Sequence, residues 1–448
     1  MIRPTRTARL AAVAATAALM LASCAQDEGT DTTDPAESES SAEETTDGEE
    51  TPTDEPTEEP TEETEPPAEA TGDGKLVVGY LLPTTGDLAF LGPPEIAGVN
   101  MAVEDINAAG GVLGEEVAIV GADSGDGTPA IAPSSVDKLL SKKSDVIVGA
   151  ASSSVSLSVI DKIVNAGVVH FSPANTSTAF DTYDDKDLYF RTAPSDVLQG
   201  AVMANLVIQD GKKNVAILAR QDSYGEALAD EVAKGLEEGG AKVAAKTLYA
   251  ADASNYTAEV NQVAGTNPDA VVLIAFNETT KIIPAMIQKQ IGPGDVQVYF
   301  VDGNAADYSA DFDPGTLEGV KATFPGAELT GDFRQRLLET DPNLKDFTYG
   351  PETYDATVMS ALAAEAAKDD AGVSIGAKLI EISAGGTKCT TFEECAPMAA
   401  AGEDIDYEGV SGPVDLNETG SPSKATIGIF EYAGDNTYAP IDYVTGVI

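Results

Sequence analysis

From residue 75 onward the apolar positions follow two alternating periods. Short, nearly continuous apolar runs mark strands buried on both faces, and segments with apolar residues three or four apart mark amphipathic helices. Lys75–Leu82 is the first run. Pro94–Ala109 then carries Ile96, Val99, Val103 and Ile106 on one side, with Gly110 and Gly111 as a C-terminal stop. Further strands are predicted at Val117–Gly121, Asp145–Gly149 and Val168–Phe171, and helices at Ala132–Lys143 and about Val155–Ala166. A second series follows Arg191–Pro194. Its strands are Asn214–Ala219, Ala241–Leu248, Ala270–Ala275 and Val296–Val301, and its helices are Gly225–Glu238, Tyr256–Thr266 and Thr280–Gln290. After Pro325 come Ala-rich helices such as Tyr354–Lys368, and the chain finishes with strands at Ala425–Glu431 and Tyr443–Val447. This alternation predicts an α/β protein with parallel sheets flanked by helices. Residues 75–448 exceed what one core usually holds, so about two domains are expected, with a ligand cleft at their junction.

The first 74 residues do not share this pattern. Arg3, Arg6 and Arg9 precede an apolar stretch, Leu10–Leu21, that is too short to span a bilayer of ~20 residues. Leu21, Ala22 and Ser23 lead to Cys24, so residues 1–24 read as a secretory signal resembling a bacterial lipobox, with Cys24 lipidated. An ordinary signal with a chance Cys is the alternative. Residues 25–74 hold 20 acidic side chains, no Lys or Arg, and no Leu, Ile, Val or aromatic. Such a segment cannot bury enough apolar surface to offset its ordering entropy. Its Thr53–Pro56 and Thr57–Pro60 units are self-repelling, so it reads as a disordered, extended spacer.

Charge and cysteine usage narrow the classes further. The whole chain is −49, and residues 75–448 hold 23 basic against 55 acidic residues, or −32. Nucleic acid and anionic lipid need Lys/Arg-rich faces, so neither is an expected partner. Membrane contact is expected through the lipid anchor only. Cys389 and Cys395 lie six positions apart in a polar stretch, Thr387–Pro397, and in an oxidising compartment read as a local disulfide. No metal site is expected, since no His or third Cys is near. His170 is the only histidine and falls inside an apolar strand, so a Ser-His-Asp or Cys-His arrangement would rest entirely on it. No zinc motif, nucleophile elbow or Walker loop appears, and neither an enzyme nor a cofactor is predicted.

The sharpest local signal follows the Asp145–Gly149 strand, where Ser152, Ser153 and Ser154 open a helix. Free amides and the positive dipole end there suit a carboxylate or phosphate. A second hydroxyl loop, Pro173–Ser177, follows the next strand. Each loop alone is more often a plain cap or turn, and two after neighbouring strands favour an anion site.

Residues 75–448 as a whole resemble the type I solute-binding proteins of ABC importers, close to the branched-chain amino acid binding family. The resemblance is carried by Leu82–Gly86, Asn100–Gly114, Gly149–Ser154, Asp222–Gly225 and Val301–Gly303. It implies the two-lobed type I periplasmic-binding-protein fold, with lobe 1 at about 75–194 and 326–412 and lobe 2 at about 195–325 and 413–448. It further implies that Ser153, Thr176 and the backbone around Ala174 grip an α-carboxylate. Tyr224 and Asp302 clamp from the second lobe, Asp302 against the α-ammonium, and Leu91 touches the ligand side chain. Phe276 stands where the amino acid receptors often carry Tyr, and Asp302 is shorter than their Glu. Tyr224 as a surface aromatic, Asp302 as a turn cap and Ser152 as a structural cap are the plainer readings. The expected function is an extracytoplasmic, lipid-anchored, monomeric substrate-binding subunit delivering an amino acid or related small zwitterion or amide to an ABC permease. A sensory receptor subunit, or a urea, short-amide or aromatic-acid binding protein, is the alternative.

Overall fold

The computed structural model of the protein describes residues 71–125 and 131–448. The expected signal, Cys24 and the acidic segment up to residue 70 lie outside the described residues. Strands β1 (Val77–Leu82), β2 (Ala118–Asp123), β3 (Val146–Gly149), β4 (Val169–Ser172) and β5 (Tyr189–Arg191) form one parallel sheet, in the order β2-β1-β3-β4-β5. Helices α1 (Gly92–Ala108), α2 (Ala132–Ser141) and α3 (Ser153–Val164) connect its strands. All of β3 and β4 is buried, which is why their sequences are continuous apolar runs rather than alternations. Gly149 ends β3 with φ +118°, and a Cβ there would come within 2.0 Å of the Leu81 carbonyl of the neighbouring strand. Only glycine lets the chain turn toward α3 at that spacing.

Helix α4 (Asp196–Gln209) begins the second lobe. Strands β6 (Asn214–Arg220), β7 (Lys242–Tyr249), β8 (Ala270–Ile274), β9 (Gln297–Phe300) and β10 (Lys321–Pro325) are parallel, with α5 (Ser223–Glu238), α6 (Thr257–Ala264) and α7 (Thr279–Gln288) between them. The chain then builds α8 (Gly331–Thr340), α9 (Gly350–Ala367), α10 (Gly372–Leu379) and α11 (Phe392–Ala401). Side chains of α9 and its neighbours join the core of the first sheet. A small sheet of β11 (Thr387–Cys389), β12 (Ile405–Gly409) and β13 (Gly412–Pro413) follows. Finally β14 (Lys424–Tyr432) and β15 (Tyr438–Val447) return antiparallel to the second sheet, giving the order β15-β14-β10-β9-β8-β6-β7.

Several elements escape the pattern. Strand β5 has three residues, too few to show a period. Helix α4 buries polar Asp196 and Gln199 beside Leu198, Val202 and Met203, which blurs its amphipathic stripe. The stretch ending at Pro325, not among the predicted strands, is β10, paired on both sides. Cys389 and Cys395 are bonded, but not in an exposed polar loop. They join the end of β11 to α11, both buried in the first-lobe core. His170 is fully buried in β4, edge-on to Tyr189, as expected of a core histidine.

Candidate ligand-binding site

The first-lobe edge is made from two loops locked together by backbone acceptors. Ser172 Oγ donates to the Ala150 carbonyl at 2.7 Å, and Asn175 Nδ2 donates to the Ala150 and Ala151 carbonyls at 3.0 and 2.9 Å. Arg191, fully buried, donates to the Asn175 and Ser177 carbonyls at 3.3 and 2.9 Å and pairs with Asp181. Ser152 precedes α3 in extended backbone, and its side chain makes no capping bond to the helix. The edge therefore presents a helix N-terminus flanked by small hydroxyls, a donor surface for an anion.

The second-lobe edge is organised around one carboxylate. Asp302, directly after β9, is buried. Its Oδ1 receives Tyr224 Oη at 2.6 Å and Gln199 Nε2 at 2.9 Å, and its Oδ2 receives Tyr349 Oη at 2.8 Å. Burial pushes the Asp302 carboxyl above the usual range, and these donors pull it back down. The Gly303 amide lies against the same carboxyl and pulls it down as well. Behind it, Phe276 stacks on Tyr224 with centroids 5.5 Å apart and carries the Arg220 guanidinium 3.3 Å over its other face. Arg220 is held in turn by Asp222 at 2.6 Å and by buried Glu278 at 2.9 Å. A Cβ at Gly303 would lie 2.7 Å from the Phe276 ring, so glycine there allows the turn after β9 to sit against it.

Between these edges is a small cavity of about 10 Å3, close to the space of a single water. Leu91, Ser153, Tyr224, Phe276 and Asp302 line it together, five of the seven residues expected to touch a ligand. Ala174 and Thr176 do not line it. The Ala174 amide donates to Ser172 Oγ at 3.2 Å, and Thr176 is fully buried with its carbonyl accepting the Asp196 amide at 2.7 Å. Ala174 packs in one apolar cluster with Leu91, Tyr224 and Phe276, and the Thr176 hydroxyl is buried without a hydrogen-bond partner. Ser152, read as a cap, faces the cavity instead. Tyr349, Gln199, Arg220 and Arg191 were not singled out from the sequence. Nothing local marks Tyr349, which is 47 positions from Asp302. The Ser177 hydroxyl donates to the Ser223 carbonyl at 2.7 Å, so the two edges touch beside the cavity. Among the described residues, no cluster of three or more His, Cys, Asp or Glu side chains could hold a metal ion.

The chain as a whole has counterparts among known proteins. The family model described as periplasmic binding protein matches residues 75–428. The chain belongs to the type I periplasmic binding protein family. Among the relatives of this family member is the chemotactic signal transduction system substrate-binding protein BasB of Halobacterium salinarum. It is 28% identical over 78% of this chain and 84% of its own. Leu/Ile/Val-binding protein homolog 3 of Brucella melitensis is 26% identical over 80% of this chain and 91% of its own. The branched-chain amino acid transporter substrate binding protein LivJ of Streptococcus pneumoniae, solved with isoleucine, shares the fold. Its TM-score is 0.68, at 20% identity, covering 84% of this chain and all of that one. The family consists of substrate-binding proteins rather than enzymes, with an extracytoplasmic location.

Proposed function

We propose that this periplasmic binding protein captures an α-amino acid, or a similar small zwitterion or amide, in the cleft between Ser153 and Asp302 and delivers it to an ABC permease. The observation that carries this reading is the buried Asp302 carboxylate lining one cavity with Ser152 and Ser153, at a helix N-terminus with no side-chain cap. The two ends of a zwitterion need an N–H and O–H donor surface and a desolvated carboxylate, in that order. Leu91 and Phe276 supply apolar walls for a branched or apolar side chain. The printed names of the Brucella and Streptococcus relatives favour a branched-chain ligand. In this reading the lobes are about 75–194 with 326–412, and about 195–325 with 413–448. They hinge where the chain crosses between the sheets, and ligand drives closure by binding the closed state better. Cys24 carries the lipid, the acidic segment spaces the domain from the membrane, and the protein works as a monomer. The Halobacterium relative, named for chemotactic signalling, favours a second use of the same capture step, presentation to a sensory partner.

Thermal melting of the full chain with amino acids, amides, urea and small carboxylates tests the reading. A ligand at 100 times its dissociation constant adds ~2.7 kcal/mol, enough to read as a melting shift. Shifts with α-amino acids that vanish in Asp302→Ala support it. Shifts confined to neutral or purely anionic compounds, aromatic acids included, overturn the zwitterion assignment.

A further inference from the structure

A second, larger hollow lies on the other side of one cavity wall. This outer chamber has a volume of about 380 Å3 and opens to solvent between the turn after β10, the loop before α9 and the β14–β15 hairpin. Aromatic faces dominate it. Phe324 stacks on Phe430 with centroids 4.0 Å apart, Tyr438 stands edge-on to both, and Phe347 lies 4.5 Å beneath the Arg334 guanidinium. Among the described residues, Tyr349 alone lines both this chamber and the ligand cavity.

Tyr349 is fixed from both ends. Its backbone is left-handed, φ +61° and ψ 4°, an uncommon state for a bulky residue that persists only where surrounding structure imposes it. Its phenol is tied to buried Asp302 at 2.8 Å, and the residue is 2% exposed. An ammonium bound at Asp302 would share that carboxylate with the phenol. The α-carbon it carries would then come up beside the ring.

We infer that the Tyr349 ring is the partition that sets the size limit of the ligand. With the ring in place the cavity takes aliphatic substituents. Removing it joins the two spaces, and the aromatic wall of the outer chamber then receives an aromatic substituent. The inference rests on the zwitterion reading above and names the residue that decides which zwitterions fit.

The chain contains no tryptophan, so tryptophan used as a ligand reports its own binding by fluorescence. Leucine and tryptophan are titrated against the full-length wild type, Tyr349→Ala, Tyr349→Leu and Tyr349→Phe. The wild type is expected to prefer leucine. The ratio of the two dissociation constants should move toward tryptophan by roughly tenfold in Tyr349→Ala, an order set by the area a ring buries. Tyr349→Leu should move it the same way and carries the test if the alanine variant does not fold. Tyr349→Phe keeps the ring and should leave the ratio in place while weakening both ligands, which a merely structural role for the ring would not do. An unchanged ratio in both Tyr349→Ala and Tyr349→Leu overturns the partition. If no amino acid binds any of the four proteins, the zwitterion reading fails. Propanoate and 3-phenylpropanoate, which lack the ammonium, then read the partition by the same ratio. An unchanged ratio there, or no binding of any probe, overturns it too.

Discussion

At the first-lobe edge of the cleft, Ser152 and Ser153 open a helix without a side-chain cap. At the second-lobe edge, Asp302 already receives three donors before any ligand arrives. One side is backbone and small hydroxyls, stiffened from behind by Arg191 and Asn175. The other is a prearranged column, Arg220 over Phe276 over Tyr224, ending on the carboxylate. The difference teaches where specificity is stored. A helix N-terminus accepts any anion of the right size, whereas a desolvated carboxylate already holding donors accepts only a particular donor.

The comparison breaks or sharpens through four substitutions. The largest effect is expected from Arg220→Ala, which leaves Glu278 fully buried and without its cation and takes the support from Phe276. Breaking a buried pair from one side costs about 3–5 kcal/mol, read in urea unfolding. A loss near zero would show that the column is not what holds this edge. Next, Asp302→Ala should weaken an α-amino acid by about 100-fold or more, because it removes the ligand's partner and leaves Tyr224, Tyr349 and Gln199 without their acceptor. Calorimetry should show a much smaller loss for a carboxylate without the amine. Ser153→Ala should cost about tenfold, the order of one hydrogen bond to a charged group, and equally for both ligands. Equal losses from Asp302→Ala and Ser153→Ala would erase the distinction between the edges.

The remaining substitution tests stability rather than binding and concerns Glu352, on α9. Burial raises its carboxyl from 4.5 to about 8. Between those pH values the folded protein keeps a proton that the unfolded chain releases. Stability from this group is therefore complete below pH 4.5 and declines as pH rises toward about 8, by at most about 1.4 kcal/mol per pH unit. Glu352→Gln should flatten that decline in melting temperature. Burial shifts Glu95 and Asp145 upward as well, so part of the slope remains in the variant. An unchanged slope would mean that Glu352 ionises freely.

The strands of both sheets were legible wherever burial on both faces wrote a continuous apolar run, as in β3, β4 and β8. Strand β5 was too short, and α4 carries Asp196 and Gln199 inward, so neither left a clean period. In the site, Ser153 could be read locally, because hydroxyls at a helix start have a meaning independent of the fold. Tyr224, Phe276, Leu91 and Asp302 were reached through resemblance. Thr176 and Ala174 came the same way and are not among the residues lining the cavity, in a turn after β4 that Ser172 and Asn175 draw against Ala150.

The sequence by itself determined the α/β class, the two series of strands, the buried histidine and the pairing of Cys389 with Cys395, since each depends on periods and spacings within a short stretch. Only the tertiary structure decided that Gln199 and Tyr349 turn to Asp302, that the Arg220 guanidinium lies over the Phe276 ring, and that one tyrosine lines two chambers. Those contacts join residues tens to more than a hundred positions apart. A hydrogen bond or ring stack leaves no local trace in the chain that makes it, because either partner could serve a different neighbour in another fold.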